Sequence, residues 1–197
     1  MSLKYKLPVG YEIREIPDAQ FWNLWTRPAK KIFNDVSMFY LPKEVFSKKE
    51  LAQHSQLRDG FKNPKAFKLN LGLYYKNKFV GWSWGLQESA TVYYMCNSAI
   101  LPKHRKKGLY TCLMKETLKR IKDKGFTRIY SRHIITNNGI IIAKLKCGFK
   151  ITHFELAEQF GTMVQLSYYF NQMQNEILDF RSGFKRPTKK VKKAFSI

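Results

Sequence analysis

The sequence predicts an α/β fold (α+β mixed): one twisted, mixed sheet of about seven strands flanked by helices. Short runs with a two-residue alternation, such as Tyr-Glu-Ile-Arg-Glu-Ile over 11–16, recur along the chain and read as half-buried strands. Between them, residues 109–124 repeat their apolar side chains with a helical period. Hydrophobic residues make up 44% of the 197, enough to bury a good core and to exclude a disordered chain.

The elements follow in order. The strand over 11–16 stops at Pro17-Asp18, where Asp18 is expected to cap a helix. Phe21, Trp22 and Trp25 share one face of that helix, and Pro28 is expected to break or restart it. Ser47 with Glu50 three residues on is a capping box opening a short helix over 51–57. Runs at 67–75 and 79–87 flank Lys76-Asn77-Lys78, a hairpin turn, and 91–100 is the next strand. In the helix that follows, Tyr110, Leu113, Met114, Thr117, Leu118 and Ile121 fall on one face, so Tyr110 is expected to pack. Glu116 and Arg120 are spaced for an ion pair, and Gly125 ends the helix. A strand over 128–133, a short helix over 140–146, strands over 150–156 and 163–170 and a helix over 171–180 complete a single domain, 1–180.

Composition changes at Arg181. Seven of the last seventeen residues are cationic and none is acidic, so 181–197 is expected to be a mobile basic tail. It reads either as a solvated terminus or as an arm for nucleic acid, with Phe184, Val191 and Phe195 able to dock on the domain. The whole chain carries a net charge of +22, which draws anions of any kind without saying which. Cys96, Cys112 and Cys147 sit in apolar segments and are expected to be free thiols in a reducing cytoplasm. No Cys/His spacing suggests a metal. No apolar run reaches the roughly 18 residues of a membrane span, and the first six residues do not read as a secretion signal.

The most informative segment is Leu101-Pro-Lys-His-Arg-Lys-Lys-Gly108-Leu-Tyr110. It joins a strand to a helix and places Gly and several cations where the helix begins. A helix N-terminus offers unpartnered N–H groups and partial positive charge, so this loop is suited to a phosphorylated ligand.

Arg105-x-x-Gly108-x-Tyr110 resembles the coenzyme A pyrophosphate loop of the GNAT superfamily of N-acetyltransferases, with Tyr110 departing from the usual Gly or Ala. The downstream order is similar too: strand, Asn137, short helix, then Gly148-Phe149, with Asn138 as the alternative to Asn137. The resemblance implies a twisted sheet split near its fourth and fifth strands, and acetyl-CoA (or another acyl-CoA) as co-substrate. It puts the thioester and pantetheine on the backbone of Ser98, Ala99, Ile100 and Leu101. The pyrophosphate falls on Lys106, Lys107, Gly108, Leu109, Tyr110 and Thr111, with Arg105 adding charge, and Asn137 or Asn138 meets the pantetheine arm.

The catalytic positions are filled unusually. The family's general acid, a Tyr before the Gly-Phe pair, falls on Lys144, which is either an exposed helix Lys or a proton donor whose pKa is lowered by burial. The usual strand Glu falls on Tyr94; Glu88 is the nearest carboxylate, and His133 has a suitable pKa at a strand end. Tyr94, Asn97 or Ser98 could bridge to the amine through water, and Trp82 or Trp84 could line an aromatic pocket. The expected partner is an amine, with acidic peptides or small metabolites favoured by the charge. The alternative is a catalytically weak GNAT-like module that binds nucleic acid or ribosomes.

Overall fold

The computed structural model of the chain describes residues 6–33, 45–61 and 65–196. The segment read as lacking a secretion signal lies, over residues 1–5, outside them. Among the described residues seven strands form one sheet: β1 (Tyr11–Glu15), β2 (Lys68–Tyr75), β3 (Lys78–Ser89), β4 (Val92–Ile100), β5 (Arg128–Ile134), β6 (Lys150–Ala157) and β7 (Gly161–Tyr169). Their order is β1-β2-β3-β4-β5-β7-β6, antiparallel throughout except for β4 beside β5. The helices are α1 (Asp18–Ile32), α2 (Lys48–Phe61), α3 (Leu109–Asp123), α4 (Asn138–Lys146), α5 (Gln172–Arg181) and α6 (Lys189–Phe195). This is the mixed α/β sheet that the patterning predicts. No described helix is long and apolar enough to cross a membrane.

Local chemistry sets the boundaries. Lys76 and Asn77 adopt φ of 47° and 62°, the left-handed pair that a two-residue hairpin turn needs. The capping box closes as expected, with the Glu50 N–H donating to Ser47 Oγ (3.2 Å) and the Ser47 N–H to Glu50 Oε2 (2.8 Å). Two expectations about α1 are corrected. Pro28 lies inside it without interrupting it, because Phe21 and Ala29 bury on either side and hold the axis. Asp18 does not cap; its carboxylate accepts from Trp22 Nε1 (3.1 Å) and Asn70 Nδ2 (3.0 Å), fastening the first turn to β2.

The sheet is covered on both faces. Leu113, Met114, Leu118 and Ile121 of α3 pack with Leu69, Leu71, Leu73, Tyr93 and Met95 from the strands, the face predicted from the helical period. On the opposite face α1 lays Phe21 and Ala29 against Trp82, Ile16 and Ala99.

The segment expected to be a mobile tail contains α6. Thr188 Oγ1 accepts from the Val191 N–H (3.3 Å) and donates to Glu176 Oε2 (2.8 Å), tying the start of α6 to α5. Val191 is fully buried, Phe184 stays exposed, and the Arg181 guanidinium lies 5.4 Å above the Phe195 ring. Replacing Val191 with Asp buries an unpaired charge and is expected to release α6, at about 2–4 kcal/mol of docking energy. Hydrogen exchange checks this: faster exchange is expected in α6, with protection in β2–β4 unchanged.

Candidate active site

The two central strands part. β4 pairs with β5 only where Val92–Tyr94 meet Arg128–Tyr130; beyond that β4 stays with β3 to Ile100, and β5 stays with β7 to Ile134. A bulge on β4 at Cys96, between the Gly85↔Met95 and Trp84↔Asn97 pairs, adds to the bend. Gly85 is required there, since a Cβ would sit 2.2 Å from the Tyr94 carbonyl oxygen. The gap leaves three adjoining spaces that all share Phe33 and Asn137 in their walls: a cleft of about 630 Å3, a neck of about 130 Å3 and a chamber of about 660 Å3.

The cleft lies along the end of β4 and the basic loop. Gly108 adopts φ 72° and precedes α3 without a side-chain cap, so the first-turn N–H groups of α3 are left for another partner. A Cβ added at Gly108 meets nothing within 4 Å, which leaves open space for an anion against the backbone. The loop is held from behind. Arg105 Nε donates to the Ile100 carbonyl (2.8 Å), His104 Nδ1 shares a hydrogen bond with Tyr11 OH (2.8 Å), and Lys107 lies over the Tyr11 ring (5.9 Å). Of the residues the resemblance assigns to coenzyme A, Ser98, Ala99, Ile100, Arg105, Lys106, Gly108, Leu109, Tyr110 and Asn137 line the cleft. Leu101, Lys107, Thr111 and Asn138 do not: Leu101 packs into both cores, and Asn138 is exposed in the first turn of α4. Tyr110 packs against the main core and also reaches both cleft and neck; burial pushes its phenol pKa up, so it stays protonated.

Lys144 occupies the neck. It is not an exposed helix Lys: its side chain is fully buried, and burial pushes the ammonium down to about 7. Its Nζ donates to Ser131 Oγ (2.7 Å), lies 3.2 Å from Met95 Sδ and sits 4.5 Å above the Phe149 ring. Ser131 Oγ in turn shares a hydrogen bond with His133 Nε2 (2.9 Å). Burial, with the Lys144 charge adding, pushes the His133 imidazole down to about 3, so it is neutral at neutral pH. The gap explains this burial, because the side of β5 that faces away from β7 is open at Ser131 and α4 fills it with Lys144. Cys96 also lines the neck, its thiol pushed by burial to about 12 and so not a thiolate nucleophile.

The chamber lies beyond the neck, bounded by α1, the strands and the β6–β7 hairpin. Trp25, Trp84, Tyr94, Phe160 and Met163 form much of its wall, with His133 and Asn137 toward the neck. Tyr94 stacks on Tyr130 (4.9 Å between centroids) beneath the Arg132 guanidinium (5.3 Å). Trp82 is buried in the core, its Nε1 donating to Asn97 Oδ1 (2.7 Å), whereas Trp84 lines the chamber. Glu88 lines none of the three spaces; its carboxylate accepts from Tyr130 OH at the paired end of the strands. Thus Tyr94, His133 and Lys144 converge on the passage, and Glu88 does not. Ser131, Arg132 and Trp25 emerge only from the three-dimensional arrangement. Among the described residues, no three His, Cys, Asp or Glu side chains converge as metal ligands.

The model of the acetyltransferase (GNAT) family matches residues 20–149, from α1 to the residue before β6. The chain belongs to the GNAT acetyltransferase family. Solved GNAT folds superimpose over most of the chain. Ard1 from Thermoplasma volcanium has 17% identity and a TM-score of 0.60, covering 83% of this chain and 100% of its own. A GNAT family acetyltransferase from Elizabethkingia anophelis with acetyl-CoA bound has 14% identity and a TM-score of 0.56, with 83% and 100% covered. The ribosomal-protein-S18-alanine N-acetyltransferase from Escherichia coli has 12% identity and a TM-score of 0.56, with 82% and 95% covered. At such identities these likenesses speak to fold. No curated protein sequence matches the chain.

Proposed function

We propose that this GNAT chain transfers an acetyl group from acetyl-CoA to a primary amine by direct attack within a ternary complex. The observation that carries the reading is the passage through the β4/β5 gap, with an anion-ready loop at one end, an aromatic chamber at the other and the buried Lys144 between. The reading takes residues 1–180 as the transferase unit and 181–197 as a basic appendage.

When bound, acetyl-CoA supplies an activated acetyl thioester. The Gly108 loop and the first turn of α3 would hold its pyrophosphate, with Lys106 and Arg105 adding positive charge. The free edge of β4 at Ser98, Ala99 and Ile100 would take the pantetheine arm, and Asn137 stands where cleft, neck and chamber meet. The neck, at about 130 Å3, favours a short acyl group.

Lys144 Nζ is the proton donor toward the departing sulfur. A donor with a pKa near 7 gives up its proton readily yet is still protonated in a useful fraction of molecules. Among the described residues lining neck and chamber none is acidic, while Lys30, Arg132 and Lys144 are basic. These positive surroundings favour an amine that enters uncharged. Lys144 Nζ, neutral once it has protonated the sulfur, is the base that regains the proton the amine sheds. His133 and Ser131 Oγ lie on the hydrogen-bonded path to it (2.9 Å and 2.7 Å), and the weakly basic His133 hands the proton on without holding it.

Initial-velocity kinetics with both substrates varied tests this reading. Lines that intersect are expected, as for a ternary complex; parallel lines point to a covalent acyl-enzyme and contradict it. Failure of any amine to release coenzyme A also contradicts it.

A further inference from the structure

All the tryptophans of the chain gather around α1 and β3, and their indole N–H groups divide into two pairs. Trp22 Nε1 donates to Asp18 and Trp82 Nε1 to Asn97. Among the described residues, Trp25 Nε1 and Trp84 Nε1 are the buried side-chain nitrogens with no hydrogen-bond partner. Both of these indoles line the chamber, their rings 6.4 Å apart and nearly perpendicular. A buried donor without an acceptor is costly and uncommon, and an oxygen from outside the chain would relieve that cost.

The rest of the wall narrows the ligand. Phe33, Phe160, Tyr94 and Met163 give flat, apolar surface. Among the described residues of the wall two are charged, Lys30 and Arg132, and both are cations. Arg132 is shared with Glu155, its Nη1 lying 3.2 Å from both carboxylate oxygens, and with the face of Tyr94. Glu155 lies outside the chamber lining, so the chamber side of Arg132 remains a cationic, donor-bearing surface. A polycation is repelled here, and a simple alkyl amine leaves the indole donors unmet.

Resting on the acetyltransferase reading, we propose that the chamber selects an aromatic amine that also carries a carboxylate, the aromatic α-amino acids being the simplest members. Its ring lies among the chamber's aromatic side chains, and its carboxylate is set toward the indole donors and the two cations. The amine then faces the neck at Asn97 and His133. Attack forms the C–N bond of an N-acetyl amino acid, breaks the C–S bond and leaves the amine's proton to the Lys144 chain, so the transfer balances without a further reactant.

The test is coenzyme A release by the full chain at saturating acetyl-CoA, with four amines compared. L-phenylalanine carries ring, amine and carboxylate; phenylethylamine lacks the carboxylate; glycine lacks the ring; spermidine is a polycation. The expected result is a kcat/KM for phenylalanine at least about tenfold above each of the others. Trp84→Phe, which keeps a ring and removes the N–H, is expected to raise the phenylalanine KM several-fold with kcat little changed. Equal or faster turnover of phenylethylamine, glycine or spermidine overturns the proposal, as does an unchanged KM in a Trp84→Phe protein that melts like the parent. If none of the four amines is acetylated while acetyl-CoA still raises the melting temperature, the proposed substrate class is wrong and the acetyl-CoA-binding half of the acetyltransferase reading stands. If acetyl-CoA does not bind at all, both fall.

Discussion

Lys144→Met is expected to lower kcat by about 100-fold or more, the range set by losing a positioned general acid. Met keeps the length and apolar stem of the side chain, so the neck stays filled. On the proposed role of Lys144 as proton donor its protonated form is the active one, so kcat is expected to fall as pH rises past about 7, and the variant to lack that limb. Stability should move the other way. Folded Lys144 releases its proton near pH 7, whereas the unfolded residue holds it to about 10.5. Between those values the unfolded chain binds more protons, so the stability contributed at this site rises with pH by about 1.4 kcal/mol per pH unit. Below pH 7 the full penalty of burying the ammonium remains. Lys144→Met is therefore expected to be more stable than the parent at pH 6, with the difference closing toward pH 10, as read from denaturation midpoints. An inactive but more stable variant separates a chemical role from a structural one. A variant as active as the parent rules Lys144 out as the proton donor.

Gly108→Glu is expected to weaken acetyl-CoA binding by about 100-fold or more, because it sets a carboxylate at the helix N-terminus proposed to hold the pyrophosphate. It also forces a side chain into φ 72°, at a cost of about 1 kcal/mol, equivalent to a fall of roughly 2–4 °C in the unliganded melt. Gly108→Ala carries the same strain without the charge or the bulk. It should show that small fall in the melt while retaining much more of the affinity, as read by calorimetry. Equal loss of affinity in both variants would assign the effect to backbone distortion alone.

Much of the fold was legible because its signals are local. The α3 face, the left-handed hairpin at Lys76-Asn77 and the Ser47–Glu50 box each depend on residues a few positions apart. The basic loop was legible for the same reason: Gly108 and its cations lie within one turn of each other. The neck was not. Lys144 sits between Ala143 and Leu145 on a nine-residue helix with apolar residues on several sides, so no periodicity marks it as buried. Its burial comes from the parting of β4 and β5, a tertiary feature that exposes Ser131 and Met95 to α4. α6 was missed because its lysines dominate the composition, although Thr188 followed by Val191 carries a cap and an anchor. Pro28 misled in the opposite direction, since its local veto on helix yields to the packing of Phe21 and Ala29.

The most direct test of the central claim is calorimetric titration of the full chain with acetyl-CoA, set against ADP, inorganic pyrophosphate and a short RNA, at moderate and at high salt. A chain with a net charge of +22 attracts all four, but only a built cleft distinguishes them. The account predicts that acetyl-CoA binds most tightly and keeps most of its affinity at high salt, because the pantetheine arm adds contacts that salt does not screen. RNA binding as tight as or tighter than that of acetyl-CoA, with both collapsing as salt rises, would contradict it.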